Sequence, residues 1–84
     1  MHTTRPGIIP RLKRAEGHLR SIITMLEEGK PCLHLAQQLH AVVTAIARAK
    51  KELIHDHIEH CLEGDGGITV KAALAELKLF AKYL

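Results

Sequence analysis

Three side chains carry most of the chemical potential of this 84-residue sequence: Cys32, His57 and Cys61. His57 and Cys61 are four residues apart, so on a helix they share a face and can grip one ion. Cys32 precedes His57 by 25 residues, which along a straight helix at ~1.5 Å per residue is roughly 40 Å. The three therefore cannot meet within one helix. They do meet if two such helices pair antiparallel, because the start of one then lies beside the end of the other. A dimer of this kind carries two identical sites, each with Cys32 from one subunit and His57 and Cys61 from its neighbour, and assembly and ion binding become a single event.

Two thiolates and an imidazole form a soft, low-coordinate set that suits Cu(I) in a trigonal arrangement better than ions preferring oxygen. Zinc is the competitor, since it usually takes a fourth ligand and His34, His55 and His60 are close enough in sequence to supply one. His2 is a further possible donor. The alternative is that both cysteines are small buried hydrophobes and the histidines are solvated helix residues. His18 and His40 fall at unpaired positions and read as structural or surface residues. No serine in a strand-to-helix turn, no glycine-rich loop after a strand and no isolated carboxylate pair occurs, so an enzyme is not expected.

The elements that must position these residues are helices. Apolar residues make up 46% of the chain, yet Phe80 and Tyr83 are its only aromatics, leaving Leu, Ile, Val and Ala to build an all-α core. A first helix is expected over about 8–28, with Ile8, Leu12, Ala15, Leu19, Ile22, Ile23 and Leu26 stepping by three and four. Pro10 fits its first turn, and Gly29-Lys30-Pro31 stops it. A second, over about 32–62, contains neither Pro nor Gly. Its stripe of Leu35, Leu39, Val42, Ile46, Ala49 and Leu53, widened by Ala36, Val43, Ala47, Ile54 and Ile58, is too broad for one short partner helix to cover. That implies burial against another copy, antiparallel, together with the flanking helices. Gly64-Asp65-Gly66-Gly67 reads as a turn, and Thr69 as the N-cap of a third helix over about 69–83 that packs back across the end of the second, close to residues 57 to 62.

At this length a single domain over 1–84 is expected, and so small a chain should gain stability by oligomerising. The net charge is +3, but the positive residues cluster: Arg5, Arg11, Lys13, Arg14 and Arg20 against Glu16 alone in the first twenty positions, then Arg48, Lys50 and Lys51. Such clusters suit phosphate backbones, and they also suit a solvated face that serves solubility. No apolar run is long enough to span a bilayer and no secretory leader is legible, so no membrane partner and a cytoplasmic location are expected. In that reducing compartment the thiols read as ligands or redox centres rather than as a disulfide.

From Ile9 to Leu84 the chain resembles the copper-sensitive operon repressors, the CsoR/RcnR family, whose members sense Cu(I), Ni(II)/Co(II), formaldehyde or persulfides. The marks are RLKRAEGHLRSIITMLEEG in the first helix, Cys32 opening the second, QQLHAV within it and HDHIEHC near its end. In copper-sensing members the ligands are a cysteine opening the second helix, a histidine 25 residues later and a cysteine four beyond, a spacing that Cys32, His57 and Cys61 reproduce. Nickel and cobalt sensors carry histidine at the last position, and formaldehyde sensors use an N-terminal proline amine where this chain begins Met-His.

The resemblance implies a three-helix protomer with a long central helix, an antiparallel homodimer assembling into a disc-shaped homotetramer, and operator DNA bound by basic residues on a flat face. Arg11 and Arg48 match positions implicated in that contact, and Lys13, Arg14 and Lys51 extend the patch. It also implies a repressor that releases its operator when Cu(I) binds, derepressing export or detoxification genes. Glu76 in KAALAEL matches a glutamate thought to connect the liganded histidine to the switch, by a hydrogen bond to the ring nitrogen that the ion does not use. One departure is the position before the first cysteine, often Tyr in copper sensors and here Pro31. The runner-up implied by the family is a persulfide or reactive-sulfur sensor in which Cys32 and Cys61 of neighbouring subunits become linked through sulfur, chemistry that needs no imidazole.

Overall fold

The computed structural model describes residues 7–62 and 69–84, with the side chains of Cys61 and Leu62 outside the described set. Three helices follow one another: α1 (Ile8–Glu27), α2 (Cys32–Leu62) and α3 (Val70–Phe80), the last running into a single 3-10 turn at Ala81–Tyr83. No strand occurs among the described residues. The expected glycine turn at 64–67 and the possible donor His2 lie outside them.

Local chemistry accounts for the ends. Pro10 is the third residue of α1, where its missing N–H has no intrahelical acceptor to lose. Gly29 closes α1 with φ of 72°, and the amides of Gly29 and Lys30 donate back to the carbonyls of Leu26 (3.1 Å) and Met25 (3.0 Å). That is a Schellman close, which needs a left-handed residue at this point. Pro31 follows and lends its carbonyl to the Leu35 amide at 3.1 Å, opening α2. Thr69 caps α3, its hydroxyl oxygen accepting from the Ala72 amide at 3.1 Å. Replacing Gly29 with alanine should cost about 1 kcal/mol, because a Cβ penalises the left-handed conformation. Urea denaturation would measure it, and an unchanged midpoint would contradict this account of the turn.

Apart from Ile54, the buried residues among those described lie along a single seam. Ile8, Ala15 and Ile22 repeat every seven positions on α1, as do Leu35, Val42 and Ala49 on α2, and Asp56 continues the second series. A seven-residue repeat on two helices joined by a short turn gives an antiparallel hairpin with one line of contact. The molecule measures 54 × 24 × 13 Å, so it is about one helix thick. Among the described residues, α3 packs only against the end of α2 around His57 and Ile58, and the rest of the two broad faces of that layer is left uncovered.

Those faces differ. Leu12, Leu19, Ile23 and Leu26 on α1, and Leu39, Val43, Ile46 and Leu53 on α2, remain 40–63% exposed. Each falls four or eight residues after a seam residue, and since four residues overshoot a turn of 3.6, all are displaced to one side. Three residues undershoot a turn, so Arg11 and His18 on α1, and Gln38 and Glu52 on α2, fall on the other side. Two cross-helix contacts agree with this register: Arg11 pairs with Glu52, and His18 Nε2 donates to Gln38 Oε1 at 2.6 Å. The layer thus has one apolar face and one polar face.

Candidate metal centre and basic face

His57 occupies the last third of α2, on the apolar side of the seam, eight residues after Ala49. Its Nε2 donates to Glu76 Oε2 of α3 at 2.9 Å. The Phe80 ring lies against it, with centroids 5.2 Å apart and planes at 58°. Glu76 and Phe80 are four residues apart and so share one face of α3, which is how an eleven-residue helix can fix an imidazole by one polar and one aromatic contact. Ile58, Val70, Ala73, Leu74 and Leu77 complete an apolar cleft around this group. The low-dielectric surroundings strengthen the hydrogen bond and hold the ring orientation.

Cys32 is the first residue of α2 and is an exposed free thiol. It lies three residues before Leu35, which places it on the same apolar side as His57. Cys61 stands one turn beyond His57 in α2, its side chain outside the described residues. Because α2 is unbroken from Cys32 to Leu62, the helix itself holds Cys32 and His57 roughly 40 Å apart within one chain. Among the described residues, no three His, Cys, Asp or Glu side chains come together as an ion site.

His60 turns Nδ1 onto the carbonyl of Asp56 at 2.8 Å, and His34 and His55 are exposed. Of the basic residues, Arg11 is engaged by Glu52. Arg14 and Arg48, each six residues after a seam residue, share the polar side, and both are exposed. Lys13 and Lys51 are exposed on the outer backs of α1 and α2.

Three features had no place in the sequence reading. Phe80 is a wall for His57, a role that its spacing from Glu76 signals once Glu76 is singled out. Glu52 is the partner of Arg11, and only the seam register reveals it. Asp56 is 3% exposed, a burial that its place in the Leu35–Val42–Ala49 series predicts and its charge conceals.

Residues 4–82 match the family model described as metal-sensitive transcriptional repressor. The chain belongs to that family. Among curated relatives, the copper-sensing transcriptional repressor CsoR of Mycobacterium ulcerans is 42% identical over 72 residues, covering 80% of this chain and 58% of its own length. The chain therefore spans little more than half of that relative. The copper-sensing repressor RicR of Mycobacterium tuberculosis is 36% identical over 69 residues, with 79% of this chain and 72% of its own covered. CsoR of Bacillus subtilis is 35% identical over 80 residues, with 89% and 79% covered. Among solved structures, the nickel-responsive transcriptional regulator InrS superposes with a TM-score of 0.84 at 31% identity, covering 100% of this chain and 99% of that one. The all-helical fold of the family is thus the fold of this chain, and the relatives' names divide between copper and nickel.

Proposed function

We propose that residues 1–84 act as one unit, a cytoplasmic repressor that binds operator DNA and releases it when Cu(I) is held between two subunits by Cys32 of one and His57 and Cys61 of the other. The observation that carries this reading is that Cys32 and His57 lie towards opposite ends of one unbroken helix, on the same apolar side, which carries exposed leucines and isoleucines between them. Antiparallel apposition of two such faces covers the exposed leucines and isoleucines and brings the first thiol of one copy to the imidazole of the other. The donor types fit a soft monovalent ion, with thiolates neutralising its charge and imidazole completing the set. Glu76 accepts from Nε2 of His57 and so would fix the orientation of the ring as a donor to such an ion. Cysteine rather than histidine at position 61 favours copper over the nickel to which InrS responds.

A pair of such dimers forming a homotetramer would extend the polar faces that carry Arg11, Arg14 and Arg48, flanked by Lys13 and Lys51, into a surface able to follow a duplex backbone. Effector and operator then oppose each other through a coupling free energy that each ligand exerts on the other equally.

Anaerobic titration with Cu(I), followed by fluorescence anisotropy of labelled operator duplex, tests this. One tightly held ion per protomer with loss of DNA binding is the expected result. Release by Ni(II) with Cu(I) inert, or release by a persulfide donor from a His57→Ala variant, would replace copper with nickel or with reactive sulfur as the inducer. Glu76→Gln should lower Cu(I) affinity by about 10- to 100-fold, the usual cost of losing a ligand's hydrogen-bonded carboxylate, and leave DNA affinity without copper unchanged. Competition with a calibrated Cu(I) chelator measures the first quantity, and parental affinity in the variant would remove Glu76 from the site.

A further inference from the structure

The polar face contains a carboxylate where a phosphate-binding surface should have none. Glu52 follows Ala49 by three residues as Arg11 follows Ile8, so the two meet across the seam, and Arg11 Nη1 donates to Glu52 Oε1. Arg14 lies one turn beyond Arg11 and Arg48 one turn before Glu52, both exposed. The acid therefore sits among the three arginines assigned to DNA. Both partners remain partly exposed, with side chains at 40% and 29%, and ion pairs in such a setting add little to stability. Adhesion of α1 to α2 is already supplied by the apolar seam. The pair has a larger consequence for Arg11 itself: a guanidinium has a fixed fork of donors, and the carboxylate takes up part of that fork with the same charge-assisted geometry that a phosphate oxygen would use.

We propose that Glu52 is an intramolecular stand-in for a DNA phosphate, a positioning residue that holds Arg11 across the seam and competes with the nucleic-acid backbone for it. Arg11 reaches phosphate only by giving up this contact. Glu52 thus sets a threshold against duplexes that do not engage the rest of the face. This rests on the reading of the polar face as the DNA-binding surface.

The test uses full-length protein without metal and two labelled duplexes, one of random sequence and one from the region upstream of its own coding sequence, across a series of salt concentrations. Glu52→Gln removes the charge but keeps an acceptor for Arg11. It should bind both duplexes roughly three- to tenfold more tightly at low salt, and the slope of log affinity against log salt should steepen by about 0.9 for each Arg11 released onto phosphate. In an Arg11→Ala background, adding Glu52→Gln should change nothing. A Glu52→Ala variant, with helix content checked by circular dichroism, should behave like Glu52→Gln. Parental or weaker binding by both Glu52 variants would overturn the proposal while leaving the DNA-binding face in place, provided Arg11→Ala weakens binding. Tightening that persists without Arg11 would overturn it in favour of a general field effect. If Arg11→Ala itself binds DNA like the parent, the DNA-binding face fails and the proposal falls with it.

Discussion

Cys61→Ala is expected to abolish the response to Cu(I) while operator binding by the metal-free protein stays at the parental level. The reason lies in the division of the helical layer into two faces. Cys61 is one turn beyond His57 at the end of α2, nine residues past Glu52, the partner of Arg11 on the polar side. Removing one of three proposed donors leaves a thiolate and an imidazole, and the loss in affinity should exceed the roughly 10- to 100-fold attached to a ligand's supporting partner. Because DNA release depends on differential binding of the ion to the two states of the repressor, an ion held that much more weakly cannot move the equilibrium. Chelator competition and anisotropy on the same sample measure both quantities. Cu(I)-driven release in Cys61→Ala at parental concentrations would contradict the assignment.

Ile46→Glu should dissociate the proposed dimer, and with it the proposed Cu(I) site and DNA complex. Ile46 lies near the midpoint of α2 and is 45% exposed in the single chain, flanked on the same side by Leu39, Val43 and Leu53. In an antiparallel pairing the midpoints of the two helices face each other, so each substitution is presented to its own symmetry copy. A carboxylate enclosed there without a partner costs at least about 3 kcal/mol, equivalent to roughly a hundredfold or more in dissociation constant. Since one α2 cannot bring Cys32 to His57, the monomer has no complete donor set. Sedimentation velocity should report a monomer where the parent sediments as an oligomer. An unchanged mass for Ile46→Glu would place the subunit interface elsewhere.

The helices were legible in the sequence because their signals are local. Gly29 and Pro31 between α1 and α2, and Thr69 ahead of α3, act through backbone conformation and capping within a few residues, and the structure uses each where expected. The seam was only half legible. Leu35, Leu39, Val42, Ile46, Ala49 and Leu53 read as one apolar stripe, yet the hairpin buries only Leu35, Val42 and Ala49 and leaves the rest exposed, because period alone does not say which residues face the neighbouring helix and which a second chain. Contacts between helices, such as Arg11 with Glu52 or His18 with Gln38, depend on the register between α1 and α2, which no local pattern along either helix encodes. The contact of Glu76 with His57 entered the sequence reading through family resemblance, since nineteen residues of separation carry no local signal.

The proposed metal site is shared between subunits, and mixing two defective variants tests that most directly. Cys32→Ala and Cys61→Ala, co-expressed with different tags and purified through both, yield mixed dimers in which the Cys61→Ala copy contributes its Cys32 and the Cys32→Ala copy its His57 and Cys61. Tight Cu(I) binding should return in the mixture, at no more than half the parental ion content per protomer, while each variant alone binds none tightly. Failure of the mixture to recover tight binding, or retention of parental affinity by Cys32→Ala alone, would contradict a site built from two chains.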